Sequence, residues 1–599
     1  MMRPHGPSHG EEAGPERRVP RLFQDHPPLV LADQAAKRPF YVEAGVVRIG
    51  GPERADVARI QIHSRTVVSD VHTGVGAAVN LVLAPDGIRR ERVGAAGTVL
   101  EAALAVPTLP MAVLQWSAPP GAPPLPPMKL SCTLCPHVSD AEHEVADGRI
   151  LVRDPARPEE VVAVVLDPVP EEVEIAQASG GGLEMRATLS STGPLSLVVV
   201  AGPSVRLPTL LRAIPHLGNH ERSAHNAVHR LRSEHLHLDT GVVALDDGVE
   251  WCKARVVSAI ERVSEEPDVE NAAAWLGLAA LAMGDFGGAE KALAALRERA
   301  PDTPLPTLLA ARATLATGNP GPALHAFRSL EVRPPEDARW SGALEFLADA
   351  LRYNASEEET ARLRTRAAAL RASTRDAESG GVRLPMAGST GRSPGAGGSG
   401  LVDVLAEAGL SGLRDPRPAA VESWVTAVRG DTLAAFADWR SELQRAFLPD
   451  GSGPRGHWHV PSDDPDGLAP AVTAARLICA LVHGILGWEP DAPSGRGVLA
   501  PRLPAHLASW TVHSLSLGDV RLSMEYARGG NSGAFTLTPT TGSVPPIVVL
   551  RPTLPWTTVS RAEVDGADAE LDVHPVPRGC ELRIQLPLDA PRRLVVEGG

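Results

Sequence analysis

Cysteine, positive charge and long apolar runs are all scarce in this chain, and each shortage removes a class of protein. Five scattered cysteines in 599 residues are too few for a disulfide framework. Lys and Arg number 58 against 72 Asp and Glu, giving a formal net charge of −14. Nucleic-acid binding needs a clustered basic surface, so no such partner is expected. No apolar run approaches the roughly 18 residues that cross a bilayer, and no membrane partner is expected either. The opening MMRPHGPSHGEEAGPERR has no apolar core behind its charges, unlike a secretory leader, so the expected location is cytoplasmic. G-x-S-x-G occurs at 6–10 and 391–395 and G-x-G-x-x-G at 395–400 and 451–456, all in aperiodic stretches rich in Gly, Pro and Ser, so neither a nucleophile elbow nor a phosphate loop is expected.

What is present reads as a globular chain of three or four domains, 43% apolar and 22% charged. Residues 1–38 are charged and aperiodic and read as a disordered arm. From 39 to 208 the pattern has period two, with β-type runs at 46–49, 67–71, 77–83, 128–134, 161–166, 184–190 and 195–201. Turns such as Pro85-Asp86-Gly87 and Gly180-Gly181-Gly182 separate them, which predicts an N-terminal β-sandwich. Residues 209–244 read as a connector helix. From 245 to 490 the 3.6 period predicts successive helices, among them 249–263, 271–283, 286–299, 306–317, 322–330, 340–353, 357–372, 432–447 and 469–487. The interval 378–400, ESGGVRLPMAGSTGRSPGAGGSG, reads as a disordered insertion. Alternation returns in 491–599, predicting a smaller C-terminal β-sandwich. The fold class is multidomain α+β.

One repeat stands out. Ala279-x4-Gly284-Asp285-x3-Ala289 recurs as Ala313-x4-Gly318-Asn319-x3-Ala323, a period of 34 residues. That is the period of a tetratricopeptide repeat. Two adjacent α-hairpins of equal length give the same signature.

Residues 456–507 open with GHWHVPSDDPDG and close with LVHGILGWEPDAPSGRGVLAPRLPAHL. A loop rich in His and Asp enters an apolar helix, which leaves through Gly487-Trp488-Glu489-Pro490-Asp491. The segment resembles the end of the catalytic helical barrel in glycogen-debranching-type α-glucosidases, the six-hairpin glycosidases. Leu238-Asp239-Thr240, Asp246-Asp247 and Glu250-Trp251-Cys252-Lys253 are similar to that family's approach to its first barrel helix. The resemblance implies an (α/α)6-type barrel between two β-domains, with an α-glucan recognised or processed in the barrel mouth. Two departures accompany it. Val460-Pro461-Ser462 stands where the family has Ile-Pro-Glu with its catalytic base, and no Gly-Arg-Asp follows the first helix. The reading is a divergent member whose catalytic residues are lost or rearranged, a pseudoenzyme if they are lost.

Glycoside hydrolysis needs two carboxyl groups, roughly 6.5–9.5 Å apart when a water attacks directly. The substitutes on offer are Asp463, Asp464 and Asp466 on the late loop, with Glu265, Glu266 and Asp268 on the early one. The same Asp cluster can instead cap and charge the start of the next helix. Trp458, between His457 and His459, is the aromatic platform expected to face a saccharide. His216, His220, His225 and His229 form i,i+4 pairs without an accompanying carboxylate motif, and Cys132 and Cys135 would face opposite sides of a strand. No metal and no cofactor are expected. The competing reading is a protein-interaction scaffold built on tetratricopeptide-like hairpins. The two differ in topology, because a barrel must bring helix 249–263 against helix 469–486.

Overall fold

The computed structural model describes residues 29–30, 39–83, 87–95, 97–146, 148–214, 226, 229–265, 269–377, 401, 404–405, 410, 432–447, 468–502, 507–542, 544–576 and 579–599. The expected arm (apart from 29–30) and the expected insertion lie outside them. Sheets come first along the chain, then helices, then sheets again.

The N-terminal part pairs a nine-stranded with a seven-stranded antiparallel sheet. The period-two pattern explains the shared core between them. Strand Gly97–Ala105 turns Val99, Glu101, Ala103 and Ala105 inward. Glu101 is tolerated there because Arg90 and Arg92 of the adjacent strand Gly87–Gly94 bond its carboxylate at 2.6 and 2.7 Å. Arg90 also donates to the carbonyls of Pro52, Glu53 and Ala55, closing that turn. Strand Leu195–Pro203 is buried on both faces, its second face covered by helix α1 (Leu207–Ala213).

The chain then departs from a continuous connector helix. His237–Asp239 is a strand, paired antiparallel with Ser509–Leu517 of a C-terminal sheet. Helix α2 (Val243–Ile260) starts six residues before the expected 249. It is followed by α3 (Val269–Met283), α4 (Phe286–Arg299), α5 (Pro304–Thr317), α6 (Gly321–Val332), α7 (Ser341–Leu351), α8 (Glu357–Ala377), α9 (Thr432–Phe447) and α10 (Ala469–Cys479). The last continues into a widened π turn, Ala480–Ile485.

The 34-residue repeat resolves into two α-hairpins of the same build, α3–α4 and α5–α6. Gly284 and Gly318 end the first helices at φ +83° and +76°, where a left-handed residue closes the last turn. Asp285 caps the second helix of the first hairpin, accepting from the Gly288 amide at 2.9 Å, while Asn319 accepts from the Gly321 amide at 2.9 Å one residue ahead of Pro320, the cap of the other. The next hairpin, α7–α8, solves the turn differently. Ser356 and Glu359 form a reciprocal capping box, and the 34-residue register is lost.

Four helices share one direction. The C-terminal end of α3 abuts the C-terminal sheets, since a Cβ on Gly284 would lie 2.3 Å from Ser516 Oγ. At the end of α5 the Ala316 carbonyl accepts from Gly518 N at 2.8 Å. Arg352, after α7, pairs with Asp491, and α10 runs straight into strand Trp488–Asp491. Helix α2 runs the other way. It begins at strand His237–Asp239 and ends against the N-terminal sheets, where Arg255 and Arg262 reach Glu43 at 2.6 and 3.3 Å. First and last helices meet, because α10 packs directly on both α2 and α3. No helix among the described residues is long and apolar enough to cross a membrane.

Candidate functional site: one end of the helical region

Helices α3, α5, α7 and α10 end on the C-terminal sheets, so their N-terminal ends lie together at the opposite end. Orphan amides and the positive pole of each macrodipole collect there. Helices α3 and α10 are neighbours and run parallel: the Arg476 guanidinium stacks over the Trp275 ring at 5.3 Å, a similar distance into each helix. The connections that lead into these two helices are 261–268 and the one ending at Leu468.

Both sets of predicted carboxylates fall on those connections. Glu265 ends the short turn Val263–Glu265 behind α2. Its side chain, and Glu266, Asp268, His457, Trp458, His459, Asp463, Asp464 and Asp466, lie outside the described residues. A further carboxylate stands at this end, where a Glu in a first turn reads in sequence as a partner for the helix dipole. It is Glu270, which opens α3 and is half-buried.

Deeper in, the wall is aromatic and cationic. Trp275 is fully buried on α3, Phe346 lies on α7, and Arg312 projects from α5 with its guanidinium 6.0 Å from the Phe346 ring. Among the described residues, α5 and α10 carry no Asp or Glu at all. His483, in the π turn, is held neutral. Burial and then the Arg312 charge push its pKa down to about 3, against the hydrogen bond between its Nδ1 and the Trp488 carbonyl.

The motifs that signalled the resemblance turn out to be joinery. Asp246 accepts from the Thr240 amide and hydroxyl, both at 2.9 Å, fixing the start of α2. Glu250 bridges His237 (3.0 Å) and Lys253 (2.9 Å), and the Lys253 ammonium also donates to the carbonyls of Leu231 and Leu236. Burial alone would raise the Glu250 pKa; Lys253 and His237 hold it below its ordinary value. In the late motif, Gly487 sits at φ +58°, with a Cβ blocked 2.6 Å from the Ala500 carbonyl oxygen. Trp488 donates to the Ser516 carbonyl, and Arg502 donates to that of Gly484 at 2.6 Å.

His237 stacks on His513 at 5.7 Å, and His216, His220 and His225 lie outside the described residues. Cys132 is buried within its strand, while Cys135 follows the strand end at φ +47°. Burial pushes both thiols up to about 12. Among the described residues no three His, Cys, Asp or Glu are placed to hold a metal ion.

No family model and no curated protein matches the chain. Among solved structures it is similar to a bacterial glucoamylase complexed with acarbose, at 11% identity and TM-score 0.36, over 58% of this chain and 68% of that one. It is similar to a family GH92 α-mannosidase of Bacteroides thetaiotaomicron in complex with mannoimidazole, at 9% identity and TM-score 0.42, over 91% of each chain. A GH92 inverting mannosidase of the same organism gives 8% identity and TM-score 0.48, over 89% and 90%. At identities and TM-scores this low, the functional reading rests on the chain's own residues and helices.

Proposed function

We propose that this chain is a glycosidase-like, carbohydrate-active protein of the six-hairpin type. It takes a saccharide at the N-terminal end of its parallel helices, with the hydrolytic carboxylates lost or rearranged. The observation that carries this reading is the adjacent, parallel packing of α3 and α10, whose leading connections hold the two carboxylate groups and Trp458. Packing of α10 on α2 supports a ring of helices that closes, as a barrel requires. Domain limits of 39–208, 245–490 and 491–599 belong to the same proposal. α-Glucans are the first ligands to test, because the framework motifs resemble those of enzymes acting on them.

The scaffold reading has less support. An interaction groove along 278–330 would expose apolar side chains, yet Leu278, Leu296, Leu308, Leu309, Leu315 and Phe327 are all buried. Titrating maltooligosaccharides into the full chain tests the proposal. Saturable binding that Trp458→Ala weakens at least about tenfold is expected, given the contribution of a ring platform to ligand contact. Binding indifferent to that substitution would move the site elsewhere.

A further inference from the structure

One buried charge in the helical region has no carboxylate or carbonyl partner among the described residues. Seven arginines are buried among the described residues, and six are held by the protein. Arg90 and Arg92 are bonded by Glu101, Arg48, Arg255 and Arg262 by Glu43, and Arg502 by the Gly484 carbonyl. Arg312 is the exception. It is 6% exposed, in the middle of α5, and no described residue accepts a hydrogen bond from its guanidinium. It faces the Phe346 ring instead.

A guanidinium has five N–H donors, which water or a bound group must answer where the protein does not. The neighbouring groups leave the charge largely in place. His483 is neutral, and Glu489 acts on Arg312 from strand Trp488–Asp491 without bonding it. Arg476 stands three residues, about one helical turn, before Cys479, which also lies close to Arg312. Two cationic side chains, Arg312 on α5 and Arg476 on α10, thus stand in the interior of the helical region, against the rings of Phe346 and Trp275. A guanidinium fork suits a planar carboxylate.

We propose that Arg312 binds a carboxylate carried by the saccharide, so that the helical region takes a uronate-containing oligosaccharide in preference to a neutral glucan. This rests on the saccharide reading above and narrows it to an acidic class. One fork with one positive charge matches a monoanionic carboxylate better than a phosphate dianion.

The experiment is calorimetric titration of the full chain with a glucuronate-containing oligosaccharide, a neutral oligosaccharide of equal length, a sugar phosphate and inorganic phosphate. The acidic oligosaccharide is expected to bind about tenfold tighter than the neutral one, the gain of one charge-assisted fork. Arg312→Met should abolish that preference, leave the neutral ligand's affinity unchanged, and unfold at no lower temperature than the parent. Should that variant fail to fold, Arg312→Lys keeps the charge, loses the fork and is expected to lose part of the preference. Equal binding of acidic and neutral ligands overturns this proposal while leaving the saccharide reading intact. A preference that survives undiminished in the variants also overturns it, and so does tighter binding of either phosphate. If no saccharide of either kind binds, both readings fall.

Discussion

His483 shows how a single side chain records its surroundings. Its pKa lies at about 3 against an ordinary value near 6.5, because burial and the Arg312 charge both disfavour the imidazolium. The sign of the pH dependence follows. Below about pH 6.5 the unfolded chain takes up a proton that the folded chain refuses, so stability falls as pH drops, by about 1.4 kcal/mol per unit for one such group. His235 and His513 are shifted in the same direction, mainly by burial, and add to the slope. His483→Asn keeps a donor where Nδ1 stands. Urea denaturation between pH 6.5 and 5 should find its slope shallower than the parent's by about one proton; an unchanged slope contradicts the assignment. Glu43 makes the complementary case. Burial would raise its pKa, but Arg255, Arg48 and Arg262 hold it far below the carboxylate range at the junction of α2 with the N-terminal sheets. Glu43→Gln should cost about 3–5 kcal/mol in denaturant unfolding, the penalty of breaking a buried ion cluster from one side. A loss below about 1 kcal/mol would mean that the cluster does not fasten the two parts together.

At the scale of elements, the sequence was most legible where period and caps agree. Strands Ala77–Leu83 and Met128–Leu134 and helices Phe286–Arg299 and Thr432–Phe447 fall where the pattern predicts. Misplacements have physical causes. The start of α2 lies earlier than the pattern predicts because Val242 caps it without a side-chain bond, while Asp246, inside the helix, does the fastening. His237–Asp239 reads as helix because its partner strand lies more than 270 residues away, beyond any local pattern. The candidate carboxylates, Trp458 and the flanking histidines sit in segments without period, and their placement stays with the proposal. Gly284 and Gly495 separate backbone strain from contact. Both have positive φ, but only Gly284 has a blocked Cβ, 2.3 Å from Ser516 Oγ. Gly495→Ala should cost about 1 kcal/mol, the left-handed penalty alone. Gly284→Ala should cost about 1–3 kcal/mol more, as overpacking does, and Ser516→Ala should recover part of that excess. Equal thermal shifts for the two glycine variants would show that the Ser516 side chain yields freely.

At the scale of the molecule, the arrangement of sheets, helices and sheets was legible because three composition regimes follow one another with little mixing. The chemistry was less so, since the quoted motifs describe how the parts are joined. Asp246, Glu250, Lys253, Trp488 and Arg502 all serve junctions between the helices and the C-terminal sheets. Under the proposed reading, the framework of a glycosidase is kept while its acid and base change. General acid–base help contributes about 10²–10⁴-fold to rate, so losing the base alone would lower turnover by about that factor. The most direct measurement follows binding and hydrolysis of maltooligosaccharides and a limit dextrin in one preparation, alongside an Asp463→Asn, Asp464→Asn double variant. The account predicts saturable binding with little or no release of reducing sugar, unchanged by the double substitution. Robust turnover that the double substitution abolishes would contradict it and make the Asp463–Asp464 pair a working catalytic base.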